Sequence, residues 1–225
     1  MFDAHRHLPG DQDIPDALYC TSRRDEWERL LSLPHPAIGA IGCLATSEFP
    51  TIGEFAQFLE SHPHLQVGEV GLDKRFGAME EQKRFLLATL DLAYSLGRSV
   101  TAHVVRSDGL FLSCLGQAGK RLPTILWHGF TSSLETATEA ARKGCILSLG
   151  PGVAHARLAG KLQQVSRLPF AIETDYDGSR TTTPYPQVVE GQYSLIGRLM
   201  GVDRETLIRN NDEKRTVLTN NTPAW

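Results

Sequence analysis

Six side chains able to bind a divalent metal recur along this sequence, each in or beside an apolar run. They are His5, His7, Glu69, His103, His128 and Asp175. The first two are one residue apart, and side chains two positions apart in an extended segment point to the same face. Imidazole and carboxylate ligands without thiolate suit zinc, manganese or magnesium. Because an unpaired imidazole or carboxylate is costly to bury, a shared metal site explains all six positions together.

Each of these residues also has a plain structural explanation when it is taken alone. Glu69 could pair with a neighbouring basic side chain, and His103 and His128 could be hydrogen-bonded core histidines. Asp175 could cap the turn that follows it. The metal hypothesis depends on the recurrence of all six at comparable places in the chain.

Eight short apolar runs predict strands, mostly separated by helical patterns. The runs are residues 2–8, 17–20, 37–44, 65–72, 99–105, 124–130, 145–150 and 170–175. Helical spacing falls at residues 23–33, 51–61, 80–96, 109–119, 134–143, 158–165, 187–199 and 204–218. This alternation is typical of an α/β protein with a (β/α)8 TIM-type barrel, whose strands gather their C-terminal ends around one mouth. We therefore expect the metal site at that mouth.

The length of 225 residues is a little under the usual size of this fold, so we expect a somewhat short or distorted barrel. Nothing marks a domain boundary, which favours a single metal-dependent hydrolase domain over residues 1–225. The first link is the weakest, because residues 9–15 show no helical period. An open doubly wound sheet is the structural alternative.

The composition is that of a water-soluble globular protein, with 41% hydrophobic and 22% charged residues. A net charge of −3 argues against non-specific coating of nucleic acid, but a nuclease needs only a metal site and a few basic residues. The four cysteines are isolated from one another, which predicts reduced core thiols: Cys20, Cys43, Cys114 and Cys145. We expect a cytoplasmic protein with no secretory signal, no membrane span and no obligate protein partner.

Several motifs resemble those of one enzyme family. They are D-A-H-R-H at residues 3–7, G-E-V-G-L-D at 68–73, W-H-G-F at 127–130 and I-E-T-D at 172–175, together with the strand that carries His103. In this respect the chain is similar to the TatD-type metal-dependent deoxyribonucleases, within the wider amidohydrolase-like group of metal-dependent barrels. The resemblance covers most of residues 1–175 and is thin afterwards.

The resemblance implies two adjacent divalent ions and hydrolysis of phosphodiester bonds in DNA or oligonucleotides by an activated water. One ion would be held by His5, His7 and Asp175, the other by His103 and His128, with Glu69 bridging both. Asp175 would also accept a proton from the water, and Glu69 would share the catalytic role.

The sequence also departs from the family pattern, which leaves the substrate class open. Residues 176–180 replace the small residue and proline that usually follow E-T-D, and residues 41–44 lack a histidine that the family carries there. Arg106 lies one position beyond the family's arginine, which places it on another face if the strand continues. Arg6 should point away from the metals by alternation, which favours a structural ion pair.

The basic side chains that we expect near the mouth are Arg106, Arg180 and Lys74, and Tyr176 could stack on a base or sugar or simply pack in its loop. The alternative function is the same dinuclear site acting on a small phosphoester, lactone or amide. A non-catalytic protein that keeps the barrel as a binding scaffold is the third hypothesis.

Overall fold

The computed structural model describes residues 1–8, 16–34, 38–45, 48–178 and 181–220. Eight parallel strands form one sheet in which each strand pairs with the next in sequence. The strands are β1 (Asp3–Arg6), β2 (Ala17–Cys20), β3 (Ile38–Ile41), β4 (Gln66–Asp73), β5 (Val100–Val105), β6 (Ile125–His128), β7 (Cys145–Leu149) and β8 (Phe170–Ile172). Both the number of strands and their order agree with the expected barrel.

The sheet curls round so that the chain after β8 meets β1. The backbone N–H of Asp175 donates to the carbonyl of His5 at 3.1 Å, and the N–H of His7 donates to the carbonyl of Tyr176 at 3.0 Å. These bonds nearly close a (β/α)8 barrel, which confirms the predicted fold. The open doubly wound sheet is therefore wrong, because an open sheet leaves its two edge strands apart.

A buried carboxylate stabilises the same junction between β1 and the chain after β8, which we call the seam of the barrel. The Asp3 side chain accepts hydrogen bonds from the Thr174 backbone N–H at 2.9 Å, from the Thr174 hydroxyl and from the Tyr185 hydroxyl at 2.8 Å. Because Asp3 belongs to β1 and Thr174 follows β8, these bonds join the first and last strands. The aspartate of D-A-H-R-H and the threonine of I-E-T-D thus serve the closure of the barrel.

Helices follow most strands and cover the outside of the barrel. They are α1 (Trp27–Leu31), α2 (Ile52–Ser61), α3 (Met79–Leu96), α4 (Asp108–Ala118), α5 (Leu134–Arg142), α6 (Leu162–Val165), α7 (Tyr185–Met200) and α8 (Arg204–Thr219). The helices expected at 23–33 and 158–165 are each shortened, with a 3₁₀ turn in place of the first part. The expected loop at 9–15 lies outside the described residues, and so does part of the strand expected at 37–44.

Apolar side chains lie in two layers. The larger layer lies between the strands and the helices and includes Trp27, Phe55 and Leu90. The smaller cluster contains side chains of β1, β2, β3, β6, β7 and β8, among them Leu126 and Ile146, together with Leu218 of α8. The Ser99 hydroxyl donates to the Leu218 carbonyl at 2.6 Å, so the end of α8 is bonded to the N-terminal end of β5. Among the described helices, none combines the length and apolar character needed to cross a bilayer.

Arg6 differs from its expected role. It points away from the metal-binding face, as alternation predicts, and is only 1% exposed. Its guanidinium carbon lies 4.1 Å from the ring centre of Tyr185, 5.0 Å from that of Tyr176 and 5.1 Å from that of Tyr19. Among the described residues this cation thus faces aromatic rings and donates from Nε to the His7 carbonyl at 3.3 Å, where we expected an ion pair, because the surrounding rings offer π-electron density in place of a carboxylate.

Candidate metal centre

The two histidines of β1 and the aspartate after β8 are brought together by the seam of the barrel. His5 is fully buried and His7 is partly exposed. The Nε2 atom of His5 lies 3.6 Å from Asp175 Oδ1, and the Nε2 atom of His7 lies 3.2 Å from the same oxygen. Both imidazoles therefore face one carboxylate at the mouth.

The carboxylate of Glu69 lies between this group and the next histidine. Its Oε1 atom is 2.9 Å from His5 Nε2 and 3.6 Å from His7 Nε2, whereas its Oε2 atom is 3.3 Å from His103 Nδ1. Glu69 is in the middle of β4, not at its end, and is 2% exposed. The two oxygens of one buried carboxylate thus face imidazoles from different strands.

His128 completes the group from the end of β6. Its ring centre lies 3.8 Å from that of His5 and 5.8 Å from that of His103. Its Nε2 atom is 4.0 Å from Asp175 Oδ1, and its Nδ1 atom is 2.9 Å from Oε1 of the buried Glu173. His128 therefore presents one ring nitrogen to the mouth and the other to a supporting carboxylate.

Asp175 was expected as the last residue of β8, and that placement is wrong. The regular strand ends at Ile172, because its pairing with β7 stops there. Asp175 follows with a φ of 51°, in the left-handed region that aspartate tolerates better than most residues. This turn, together with the backbone bond to His5, directs the carboxylate across the mouth, where 34% of the side chain is exposed.

Polar atoms that lack partners test whether these residues suit a metal. In the part of the chain that the structure describes, His5 Nε2, Glu69 Oε1 and Asp175 Oδ1 are buried and make no hydrogen bond. One ligand atom each from His5, Glu69, His128 and Asp175 lies within 4.8 Å of the others. Nitrogen and carboxylate donors at this separation fit a divalent cation, which would satisfy the buried atoms.

The charge states of the acids are consistent with this use. Burial alone would raise the pKa of the Glu69 carboxyl, but the imidazoles of His5 and His103 outweigh burial and hold that pKa well below its usual range. Burial likewise opposes ionisation of Asp175, but the nearby imidazoles of His5 and His7 outweigh burial, so the pKa of Asp175 also lies below its usual value. Both carboxylates are therefore ionised at neutral pH and attract cations.

A cavity of about 490 Å³ opens over the cluster. Its lining includes His7, Glu69, His103, His128 and Asp175, and it also includes Asp73, Arg75 and Phe76 from the end of β4. Lys74, which we expected near the mouth, is exposed in the turn after β4 and is not part of this lining. The neighbouring Arg75 takes that place because it pairs with the Asp73 carboxylate at 2.5 Å.

The other expected substrate-binding residues lie in three different places. Arg106 is exposed just after β5, beside a second cavity next to the mouth. Tyr176 packs its ring against Tyr185 and Arg6 and is not part of the mouth lining, which corresponds to the loop-packing alternative. Arg180 lies outside the described residues.

Two carboxylates that support the histidines were not singled out from the sequence. Glu173 accepts a hydrogen bond from the Gly129 N–H at 2.7 Å and lies against His128. Asp73 Oδ2 lies 3.3 Å from His103 Nε2. Each is within a recognised motif and an even number of residues from a proposed ligand, Glu173 two before Asp175 and Asp73 four after Glu69. Strand alternation could therefore have indicated them.

Comparison with known proteins identifies the family to which the chain belongs. The model of TatD-related DNases matches residues 34–216. This chain belongs to the TatD-related DNase family. The matched residues include Glu69, His103, His128 and Asp175, whereas the H-x-H pair of β1 precedes them.

Among curated proteins, the chain is 30% identical over 130 residues to the 3'-5' ssDNA/RNA exonuclease TatD of Escherichia fergusonii, covering 54% of this chain and 50% of that protein. It is 33% identical over 95 residues to the protein of the same name from Musicola paradisiaca, covering 41% of this chain and 35% of that protein. The chain thus spans about half the length, or less, of these relatives in the matched regions.

Among solved structures, YJJV, a TatD homologue from Escherichia coli K12, superposes with a TM-score of 0.80 at 20% identity, covering 97% of each chain. A hydrolase of the TatD family from Entamoeba histolytica superposes with a TM-score of 0.74 at 13% identity, covering 92% of this chain and 85% of that one. These two likenesses establish the barrel fold.

Proposed function

We propose that this protein hydrolyses phosphodiester bonds in DNA strands with the help of two divalent ions. The observation that carries the proposal is the convergence of six imidazole and carboxylate side chains, from five parts of the chain, on one mouth. Family membership and the exonuclease relatives favour a strand of nucleic acid as the substrate. The ligands in this proposal are His5, His7, Glu69, His103, His128 and Asp175.

The two ions would be zinc, manganese or magnesium, shared as the family resemblance implies. His5, His7 and Asp175 would hold one ion, and His103 and His128 the other. Glu69 would bind both, which is supported by its Oε1 facing His5 and its Oε2 facing His103. When bound, such a pair of ions lowers the pKa of a water molecule and offsets the charge on the phosphate oxygens.

The side chains at the mouth would have different roles in the reaction. Asp175 is ionised and more exposed than Glu69, so its carboxylate would accept the proton that the attacking water loses. The buried Glu69 keeps its charge and its position between the histidines. Arg75 lines the same cavity, where its guanidinium would meet a substrate phosphate.

The test is release of nucleotides from single-stranded DNA by the purified protein loaded with manganese, zinc or magnesium. We expect Glu69→Gln and Asp175→Asn to abolish release, because each removes a charge that the ions and the water require. Glu213→Gln and Asp212→Asn remove the same charges from the exposed face of α8 and should leave release unchanged. Undiminished release by both mouth variants would exclude this site.

The alternative is the same centre acting on a small phosphoester, lactone or amide. The observation in its favour is that the mouth lining contains three carboxylates, Glu69, Asp73 and Asp175, and these repel a polyanion unless cations offset them. A panel containing a phosphodiester, a phosphomonoester and a lactone, assayed with one preparation, separates the two. Turnover of the lactone or monoester without the phosphodiester would favour the alternative.

A further inference from the structure

A second cavity, of about 320 Å³, lies beside the mouth. It shares Val104, Val105 and Gly129 with the lining of the mouth cavity, so the two spaces are neighbours along the ends of β5 and β6. It contains none of the proposed metal ligands. A molecule bound over the metal centre can therefore extend into it without leaving the protein surface.

The second cavity is lined by two guanidiniums, those of Arg106 and Arg157. Among the described residues, neither guanidinium forms an ion pair or a side-chain hydrogen bond. Within the part of the chain that the structure describes, the only acid in the lining is Asp108, whose carboxylate accepts a hydrogen bond from the Ser132 hydroxyl at 2.6 Å. With two cations and one anion, the lining carries a net positive charge, the sign that suits a phosphate.

The backbone explains why the two arginines meet. β5 ends at Val105, and Arg106 has a φ of 54° that turns the chain into α4, so its side chain does not continue the strand alternation. Arg157 follows the turn after β7, and that turn packs on the loop after β6, where a Cβ on Gly152 would lie 3.2 Å from Thr131. Both arginines thus follow C-terminal ends of strands, on the same side of the barrel as the metal centre.

We propose that this second cavity binds the substrate phosphate next to the scissile one, with Arg106 and Arg157 as its ligands. The proposal rests on the proposed function, because it assigns the preferred substrate: a strand with at least two successive phosphodiesters. Planar guanidiniums donate paired hydrogen bonds to phosphate oxygens, and both arginines have donors available for this. Arg157 is thereby a specificity-determining residue outside the metal cluster.

The kinetic test compares the dinucleotide d(TpT), which has one phosphodiester, with the trinucleotide d(TpTpT), which has two. We expect the manganese-loaded wild type to show a lower KM for d(TpTpT). Arg157→Gln should raise the KM for d(TpTpT) about tenfold, the loss of one charge-assisted hydrogen-bonded contact, and leave kcat and the KM for d(TpT) unchanged. Arg157→Lys should restore part of the preference, since it keeps the charge without the fork.

Arg167→Gln is the matched control, because Arg167 is exposed and precedes β8 at the opposite end of the barrel. It should leave both KM values unchanged. Since Arg157 is exposed, its replacement should not alter the thermal unfolding temperature, and unchanged unfolding shows that the effect on KM is not one of folding.

A binding measurement makes the result independent of turnover. Unlabelled d(TpT) and d(TpTpT) compete with a fluorescein-labelled oligothymidylate for the metal-free protein, followed by fluorescence anisotropy. We expect the trinucleotide to compete better with the wild type, and Arg157→Gln to remove that advantage.

An equal trinucleotide preference in the wild type and in Arg157→Gln, in either assay, would overturn the assignment. If the wild type cleaves neither compound and releases no nucleotide from single-stranded DNA, the proposed function fails. The competition experiment then still decides whether the second cavity recognises a second phosphate.

Discussion

The Oε1 atom of Glu173 lies 2.9 Å from the Nδ1 atom of His128, and neither side chain is more than 8% exposed. The same oxygen accepts a hydrogen bond from the Gly129 N–H at 2.7 Å, which fixes the carboxylate. Burial lowers the pKa of His128, but the charge on Glu173 outweighs burial and leaves that pKa above its usual value. The carboxylate thus orients the ring and makes its Nε2 a stronger electron donor towards the mouth.

Replacing Glu173 by glutamine tests this relationship. Glu173→Gln keeps the shape and removes the charge, so we expect divalent metal affinity to fall about 10- to 100-fold, the usual cost of losing a carboxylate behind a ligand histidine. Isothermal titration of manganese or zinc into the metal-free protein measures the change. Glu213→Gln on the exposed face of α8 is the control. Equal affinities in both variants would show that Glu173 has no influence on the centre.

Metal binding should stabilise the folded protein. The buried donors of His5, Glu69 and Asp175 have no hydrogen-bond partner among the described residues, and they converge only when the chain is folded. An ion that binds the folded state alone, at 100 times its dissociation constant, contributes about 2.7 kcal/mol and raises Tm by about 5–10 °C. Differential scanning fluorimetry with and without a chelator measures this. An unchanged Tm with all three metals would favour the non-catalytic scaffold.

Gln82 of α3 fixes the end of β4. Its Oε1 accepts from the Asp73 N–H at 2.7 Å, and its Nε2 donates to the carbonyls of Asp73 at 3.1 Å and Gly77 at 2.5 Å. Gln82→Met keeps the volume and leaves these buried groups without partners, so we expect the free energy of unfolding to fall by about 1–3 kcal/mol. Urea denaturation measures the loss. Gln57→Met on the exposed face of α2 should change it little.

The four cysteine thiols are buried and form no disulfide with one another, so they should be unreactive in the native protein. Burial raises the pKa of Cys145 to about 12 and raises the pKa of Cys114 as well. Because only the thiolate reacts, a shift from pH 7 to pH 9 should leave native Cys145 unmodified by Ellman's reagent. In 6 M guanidinium, about four thiols per chain should react, since the thiols then regain ordinary pKa values. Rapid native labelling would contradict the buried placement.

Local sequence patterns were sufficient to predict an element whose limits depend only on its own residues. The apolar stripe of α3 and the glycine at 97 predicted a helix ending at Leu96, and the structure has this end because Gly97 adopts a φ of 65°. The end of β8 could not be predicted from local sequence patterns. Whether Glu173 to Asp175 continue the strand depends on pairing with β7 and on the bonds to β1, which are contacts between distant parts of the chain.

Arg6 and Arg75 likewise show what local sequence predicts and what depends on distant contacts. That Arg6 faces away from the metals follows from alternation, but its aromatic surroundings come from β2 and α7, and no local pattern predicts them. Arg75, not Lys74, lines the mouth because of its pairing with Asp73, which depends on the turn that follows β4.

By itself, the sequence determined the chemistry available to this protein: a set of imidazoles and carboxylates in apolar strands, in an order that is typical of a barrel. Only the tertiary structure decided which of these groups meet, and it placed Glu69 between His5 and His103 and Glu173 behind His128. The physical reason is that side-chain type and spacing are local properties, whereas the distance between two strands depends on the register of hydrogen bonds around the whole barrel.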